Sequence, residues 1–247
     1  MIALLCSVAL ADEPVPMTGY AGHPFTLARG EAVFGLFRPA TVGLSDRVDV
    51  TVPGLATLVA PRVDAKVEVW SGERVGVAVR GAVGIPSGGL ALLRSTATVL
   101  STDPLQRVGF GAVVDLGVIG GVREGRLHSS LGVAVRAGGS TGSLQPQGVW
   151  WLDPMLAPLT EGPVVRVRWV ADLRVTDRVQ LTGDVAHQVF SGGPDTSVRG
   201  LALLAPSERV AFGLGWALAL ETMPGGVDTF GMPLLDLQVR LSKRSGS

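Results

Sequence analysis

From Arg29 onward the chain places apolar side chains at every second position. In Arg62 to Trp70, Val63, Ala65, Val67 and Val69 alternate with Arg62, Asp64, Lys66 and Glu68. A helix would bring such residues round at every third and fourth place, whereas a strand sends the two sets to opposite faces. The same split runs through Arg47 to Val52, Arg74 to Val83, Phe110 to Val118, Leu127 to Arg136, Val164 to Arg174, Val179 to Phe190, Val210 to Leu220 and Leu235 to Leu241. With Gly30 to Arg38 as a weaker first member, the pattern predicts about ten strands, within a range of roughly eight to twelve. Turn signals fall at Pro39, Ser71-Gly72, Gly120-Gly121, Thr176-Asp177, Gly192-Gly193-Pro194 and Pro224-Gly225-Gly226. Three connections, 85–106, 137–162 and 191–208, are long enough to hide a further short strand.

Alternation is common to a soluble β-sandwich, with its apolar face inward, and a membrane barrel, with its apolar face in lipid. Composition separates them. Apolar residues make up 47% of the 247 residues and charged ones only 17%, with 21 basic and 21 acidic side chains. The longest apolar run, Met1 to Ala11, falls short of the ~18 residues that a spanning helix needs. A helical membrane protein, a disordered chain and a basic nucleic-acid binder are therefore excluded. The apolar set is mostly Val, Leu and Ala, which suits a fluid solvent better than a jigsaw core. In Val210 to Leu220 the second face is all Ala and Gly, which would accommodate neighbours' arginines in a crowded lumen. The expectation is a closed antiparallel transmembrane β-barrel.

Residues 1–11 read as a signal peptide: an apolar core ends in Ala9-Leu10-Ala11 before Asp12, although no basic residue precedes it. Residues 12–28 then form a periplasmic segment leading into the barrel, and 29–247 form one barrel domain. The single cysteine, Cys6, lies in the part to be removed, so no disulfide framework is expected.

The stretch Gly30-Glu31-Ala32-Val33-Phe34-Gly35-Leu36-Phe37-Arg38-Pro39, followed by Val42 to Val50, resembles the opening hairpin of uncharacterised Gram-negative outer-membrane β-barrel proteins. The resemblance covers nearly all of the chain after residue 11. It implies an outer-membrane location, lipid and the barrel-assembly machinery as partners, no cofactor and no nucleic acid. Two features depart from that class. Leu241 is followed by Ser242 to Ser247 rather than ending on an aromatic residue, and the aromatic girdles are thin, with Trp70, Phe110, Phe190 and Phe230 near strand ends.

The polar faces carry the candidate chemistry. Arg80, Arg136, Arg166, Arg168, Arg174 and Arg240, with Asp115, Asp172, Asp184 and Asp236, are expected to line the lumen as a charge-balanced network, because unpaired charge there is costly to desolvate. Arg47, Lys66, Arg74, Asp49, Asp64 and Glu68 share those faces. The reading is a non-enzymatic barrel with a structural or passive small-solute role. Two others stay open: a lipid or ester hydrolase using His128, Ser129 or Ser130 and Asp115, and a soluble exported β-sandwich that binds a partner. No two of His23, His128 and His187 have metal-site spacing. Trp150-Trp151, among prolines, suits the membrane interface.

Overall fold

The computed structural model describes residues 22–35, 39–52, 61–85, 111–141, 157–159, 162–190, 193–207, 209–223 and 226–241. The signal peptide expected at 1–11 and Trp150-Trp151 lie outside them. Twelve strands form: β1 (Ala32–Gly35), β2 (Ala40–Ser45), β3 (Val48–Val52), β4 (Arg62–Ser71), β5 (Val75–Gly84), β6 (Gly111–Glu124), β7 (Leu127–Ser140), β8 (Val164–Arg174), β9 (Val179–Phe190), β10 (Gly193–Ser207), β11 (Val210–Met223) and β12 (Gly226–Leu241). Each pairs antiparallel with its neighbours in sequence, and β1 pairs with β12 to close the ring. Closure leaves no edge ladder along the seam from Ala32↔Leu241 to Gly35↔Gln238.

The two strands beyond the predicted ten are β2 and β10. In β10, Leu201 and Leu203 point inward while Ala202 and Leu204 point outward. Both faces are apolar there, so hydrophobicity loses its period, and Gly193-Pro194, Gly200 and Pro206 read as loop. The turn expected at Gly120-Gly121 is also corrected: β6 runs through it and turns at Gly125-Arg126. Glu124 pairs with Leu127 across that two-residue loop, and Gly125 takes φ 54°, the left-handed value that glycine adopts freely.

The faces are inverted relative to a soluble protein. Leu116 and Leu235 are each 64% exposed and Leu214 is 63% exposed, whereas Asp49 and Gln238 are 1% exposed and Lys66 is 4%. Water does not support an outer wall of Val, Leu and Trp over a charged interior; lipid requires one. About ten residues of tilted strand cross the roughly 25 Å apolar band of a bilayer, and β4 to β12 reach that length. Polar groups on the outer face satisfy each other: Trp169 Nε1 donates to Ser129 Oγ at 3.0 Å, and His187 Nδ1 lies 2.9 Å from Thr196 Oγ1 on the opposing strand. Among the described residues no helix is long and apolar enough to cross. The strands cross instead, and the soluble-sandwich alternative does not fit this geometry.

The ends of the barrel differ. The turns after β2, β4, β6, β8 and β10 are short and share their end with the start of β1 and the finish of β12. The long connections 53–61, 85–110 and 141–163 lie at the other end. At the short-turn end one arginine per turn ties the next hairpin down. The carbonyls of Arg47, Arg74, Arg126, Arg178 and Arg209 accept from the N–H groups of Glu68, Arg123, Arg174, Ala205 and Arg240 respectively.

Leu116 faces outward midway along β6. Leu116→Arg should cost about 2–4 kcal/mol in lipid-vesicle unfolding titrations, while Glu73→Gln at the rim leaves stability unchanged. Equal effects for the two would place Leu116 outside the lipid.

Candidate functional site: the charged lumen

The inward ladder is built by register. Asp115 on β6 lies directly opposite Arg136 on β7, and Asp184 on β9 opposite Arg199 on β10. Three aspartates then each gather two arginines. Asp64 accepts from Arg62 Nη2 at 2.8 Å and from Arg80 Nε at 2.9 Å. Asp115 accepts from Arg136 Nε at 3.0 Å and also pairs with Arg62. Asp184 takes Arg168 through both fork nitrogens, at 3.0 and 2.8 Å, and Arg199 at 3.0 Å. Paired forks of this kind hold guanidinium and carboxylate in one plane and suit an interior where water is scarce. Arg136 Nη1 also donates to Gln188 Oε1 at 2.9 Å.

The other residues singled out from sequence are spread along the wall. Asp236 accepts from Gln238 Nε2 at 2.8 Å, and Arg240 Nη2 holds Glu31 at 3.1 and 3.2 Å beside the seam. Asp172 is buried toward the short-turn end and lies 2.8 Å from His23 Nε2, with Arg174 two residues beyond it. Arg166 lies on the inward face of β8, between Ala134 and Gln188 on the flanking strands. Sequence reasoning missed Arg199, because β10 was missed, and also Glu31 and His23. Arg62 was visible on a polar face but not singled out.

His23 belongs to a feature that the alternation does not show. Residues 22–28 cross the lumen as a strap before β1 begins. Ser130 Oγ donates to the Gly22 carbonyl at 2.7 Å, Lys66 Nζ donates to the carbonyls of His23 at 2.9 Å and of Phe25, and the Leu27 N–H donates to Asp49 Oδ1 at 3.0 Å. Lys66 is held in turn by Asp49 at 3.1 Å. His23 meets the His128 ring edge-on at 5.8 Å, and the Arg123 guanidinium lies 5.0 Å from the centre of the Phe25 ring. Leu27 closes the crossing in an apolar cluster with Val33, Leu201, Leu203 and Ala211. The small face of β11 thus accommodates leucines rather than arginines. Two wall glycines make room: a Cβ at Gly121 would lie 2.7 Å from Pro24, and one at Gly76 would lie 2.9 Å from Phe25.

The hydrolase constellation is not brought together. Asp115 is committed to two arginines, and Ser130 donates to Gly22. Ser129 faces outward to Trp169, and His128 lies across from Asp172.

An apolar exterior on a closed ring, a charged interior, short turns with both strand termini at one end and long connections at the other decide the class. The chain is a transmembrane β-barrel of the outer-membrane type. Its solved-structure likenesses are of the same architecture. It is similar to the outer-membrane protein OmpT of Vibrio cholerae, at 10% identity over 82% of this chain and 64% of that one, with a TM-score of 0.42. The outer-membrane channel DcaP of Acinetobacter baumannii gives 10% identity, 82% and 60% coverage and 0.42. CymD, a monoaromatic hydrocarbon channel, gives 10% identity, 86% coverage of each chain and 0.43. The chain therefore spans less than two thirds of the length of the first two. At these values the likeness concerns general architecture and carries nothing about function. No protein-family model matches the chain. No curated protein matches it either.

Breaking a buried pair strands the partner charge, so Asp184→Asn should cost about 3 kcal/mol or more in unfolding titrations. Asp177→Asn, at an exposed rim pair 3.9 Å from Arg126, should cost under about 1 kcal/mol. Similar costs would show that lumen water screens Asp184.

Proposed function

We propose that this barrel is a narrow outer-membrane conduit for small polar solutes, throttled by its own strap at residues 22–28. The observation that supports this reading is the way the strap is held. Its ties to the wall are hydrogen bonds, among them two from Lys66, one histidine–carboxylate contact and the ring contacts of His23 and Phe25, and Leu27 sits in an apolar cluster. None of them is a backbone ladder like those that join the strands. The wall itself is a closed ring of paired strands. The short-turn end, where the strap sits, is the periplasmic end in this reading, since outer-membrane barrels keep their short turns there. Solute would pass beside the charged ladder, which offers polar groups in place of water and excludes apolar molecules.

The alternative with a specific observation behind it is a purely structural barrel. The helical turn at Ala157–Leu159 is buried, with Leu159 against Gly111 and Gly138 at the long-connection end. Both ends of the lumen are then covered.

A disulfide separates the two readings. A Cβ built at Gly22 lies 3.3 Å from the Val170 Cβ, close to the ~3.8 Å of a disulfide. The double variant Gly22→Cys, Val170→Cys would therefore pin the strap to the wall. In planar bilayers the wild type should conduct in small steps, the oxidised variant should be silent, and reducing agent should restore current. A wild-type barrel that migrates as folded in detergent gels yet stays silent would leave only the structural role.

A further inference from the structure

Among the described residues the charge network in the middle of the lumen carries more arginines than acids. Arg62, Arg80, Arg136, Arg168 and Arg199 share Asp64, Asp115 and Asp184. Among the described residues Arg166 makes no hydrogen bond or ion pair. The charges acting most strongly on it are those of Arg136, Arg168, Arg199 and Arg80, all of its own sign. Its cross-strand neighbours offer no compensation: Ala134 has no acceptor beyond the backbone, and the Gln188 Oε1 is taken by Arg136. Asp195, the acid that feels Arg166, makes no ion pair with it.

Arg166 also opens onto space. A cavity of about 40 Å³ is lined by Arg80, Arg166 and Arg168, by Asp115, and by small residues that include Gly117 and Ala134. That is room for about three waters or one small ion. Arg80 and Arg168 are held by Asp64 and Asp184, so Arg166 is the guanidinium that faces this recess without an acid, and its charge calls for an anion. The planar fork of Arg166 favours an oxyanion over a spherical halide, because two parallel N–H groups match two oxygens. A neutral solute would leave like charges facing one another across a water-poor space, a costly arrangement.

We propose that the recess at Arg166 is a binding site for a small oxyanion of phosphate, sulfate or carboxylate size. As a substrate class for the passage, this rests on the conduit reading above; as a binding site, it stands without any flux.

The test uses the full barrel in detergent micelles, with inorganic phosphate as the probe and sodium chloride matched in ionic strength as the reference. Phosphate should raise the unfolding midpoint in a saturable way, since a ligand that binds only the folded state stabilises it by mass action. Arg166→Gln should weaken phosphate at least about tenfold, a loss equal to ~1.4 kcal/mol. In phosphate-free buffer Arg166→Gln should unfold no more easily than wild type, because it removes a charge with no partner; an arginine held by the barrel would give the opposite. Ala134→Glu is the second variant. It places a tethered carboxylate directly across from Arg166, and it should raise the midpoint without phosphate and abolish the phosphate response. Phosphate acting no better than chloride, a response that survives Arg166→Gln, or an Ala134→Glu barrel no more stable than wild type would each overturn the site. Silence in planar bilayers with phosphate binding intact would instead remove the conduit and leave the site standing.

Discussion

The width of the ring is the constraint on which the rest depends. Eight strands close around a space that inward side chains fill, and sixteen leave a water-filled channel. Twelve fall between. The interior is too wide for side chains alone and too narrow for bulk water to solvate charges freely. An inward charge is therefore stable chiefly where it finds a partner inside the protein, and most of the described ones do. The wall supplies part of the answer, with register setting Asp115 against Arg136 and Asp184 against Arg199. The strap supplies the rest. Its carbonyls take the hydrogens of Lys66 and Ser130, and its Leu27 fills the apolar quadrant beneath Leu201 and Leu203.

Glycine placement follows from the same constraint. Gly76 and Gly121 are interior positions of β5 and β6, where glycine weakens a strand and packs nothing of its own. They are there because Phe25 and Pro24 come within 3 Å of where a Cβ would stand. The small inward face of β11 works in the same way for Leu201 and Leu203, whose methyl groups lie 3.0 Å from a Cβ built at Gly213. Small residues at these inner-wall positions thus make room for bulkier groups, from the strap in one case and from the adjoining strand in the other. In sequence they look like turns, and Gly120-Gly121 reads as one for that reason.

The alternation made most of the wall legible, because lipid outside and charge inside impose opposite chemistry on successive residues. It failed where that opposition lapses. In β10 the inward residues Leu201 and Leu203 are as apolar as their outward neighbours. In β2 the run is short and small. The strap was illegible for a different reason: Gly22 to Ala28 has no period and includes Pro24, so nothing local distinguishes it from a loop. Its burial is decided largely by distant partners, Asp49, Lys66, Ser130 and Asp172. For the lumen charges, face was readable but pairing was not. Counting charges on faces suggests balance, whereas among the described residues five arginines share three aspartates and Arg166 stands apart.

The rim shows how such a lumen is kept in register. An acid followed by an arginine and an apolar residue recurs at Asp46-Arg47-Val48, Glu73-Arg74-Val75, Asp177-Arg178-Val179 and Glu208-Arg209-Val210, with Glu124-Gly125-Arg126-Leu127 as a lengthened form. In all five turns the arginine carbonyl accepts from the neighbouring hairpin. The side chains reach one turn further in two cases, Arg74 to Glu124 and Arg126 to Asp177, each at 3.9 Å and largely exposed. Exposed pairs at that distance add little stability. Their value is positional. A slip of one residue in any hairpin would turn its whole charged face to lipid. The backbone bond at each turn opposes that slip where the ladder starts, and the lumen network opposes it again at mid-height. Register and charge pairing are therefore one constraint met twice, and a carboxylate pair broken in the lumen loosens a hairpin as well as freeing an arginine.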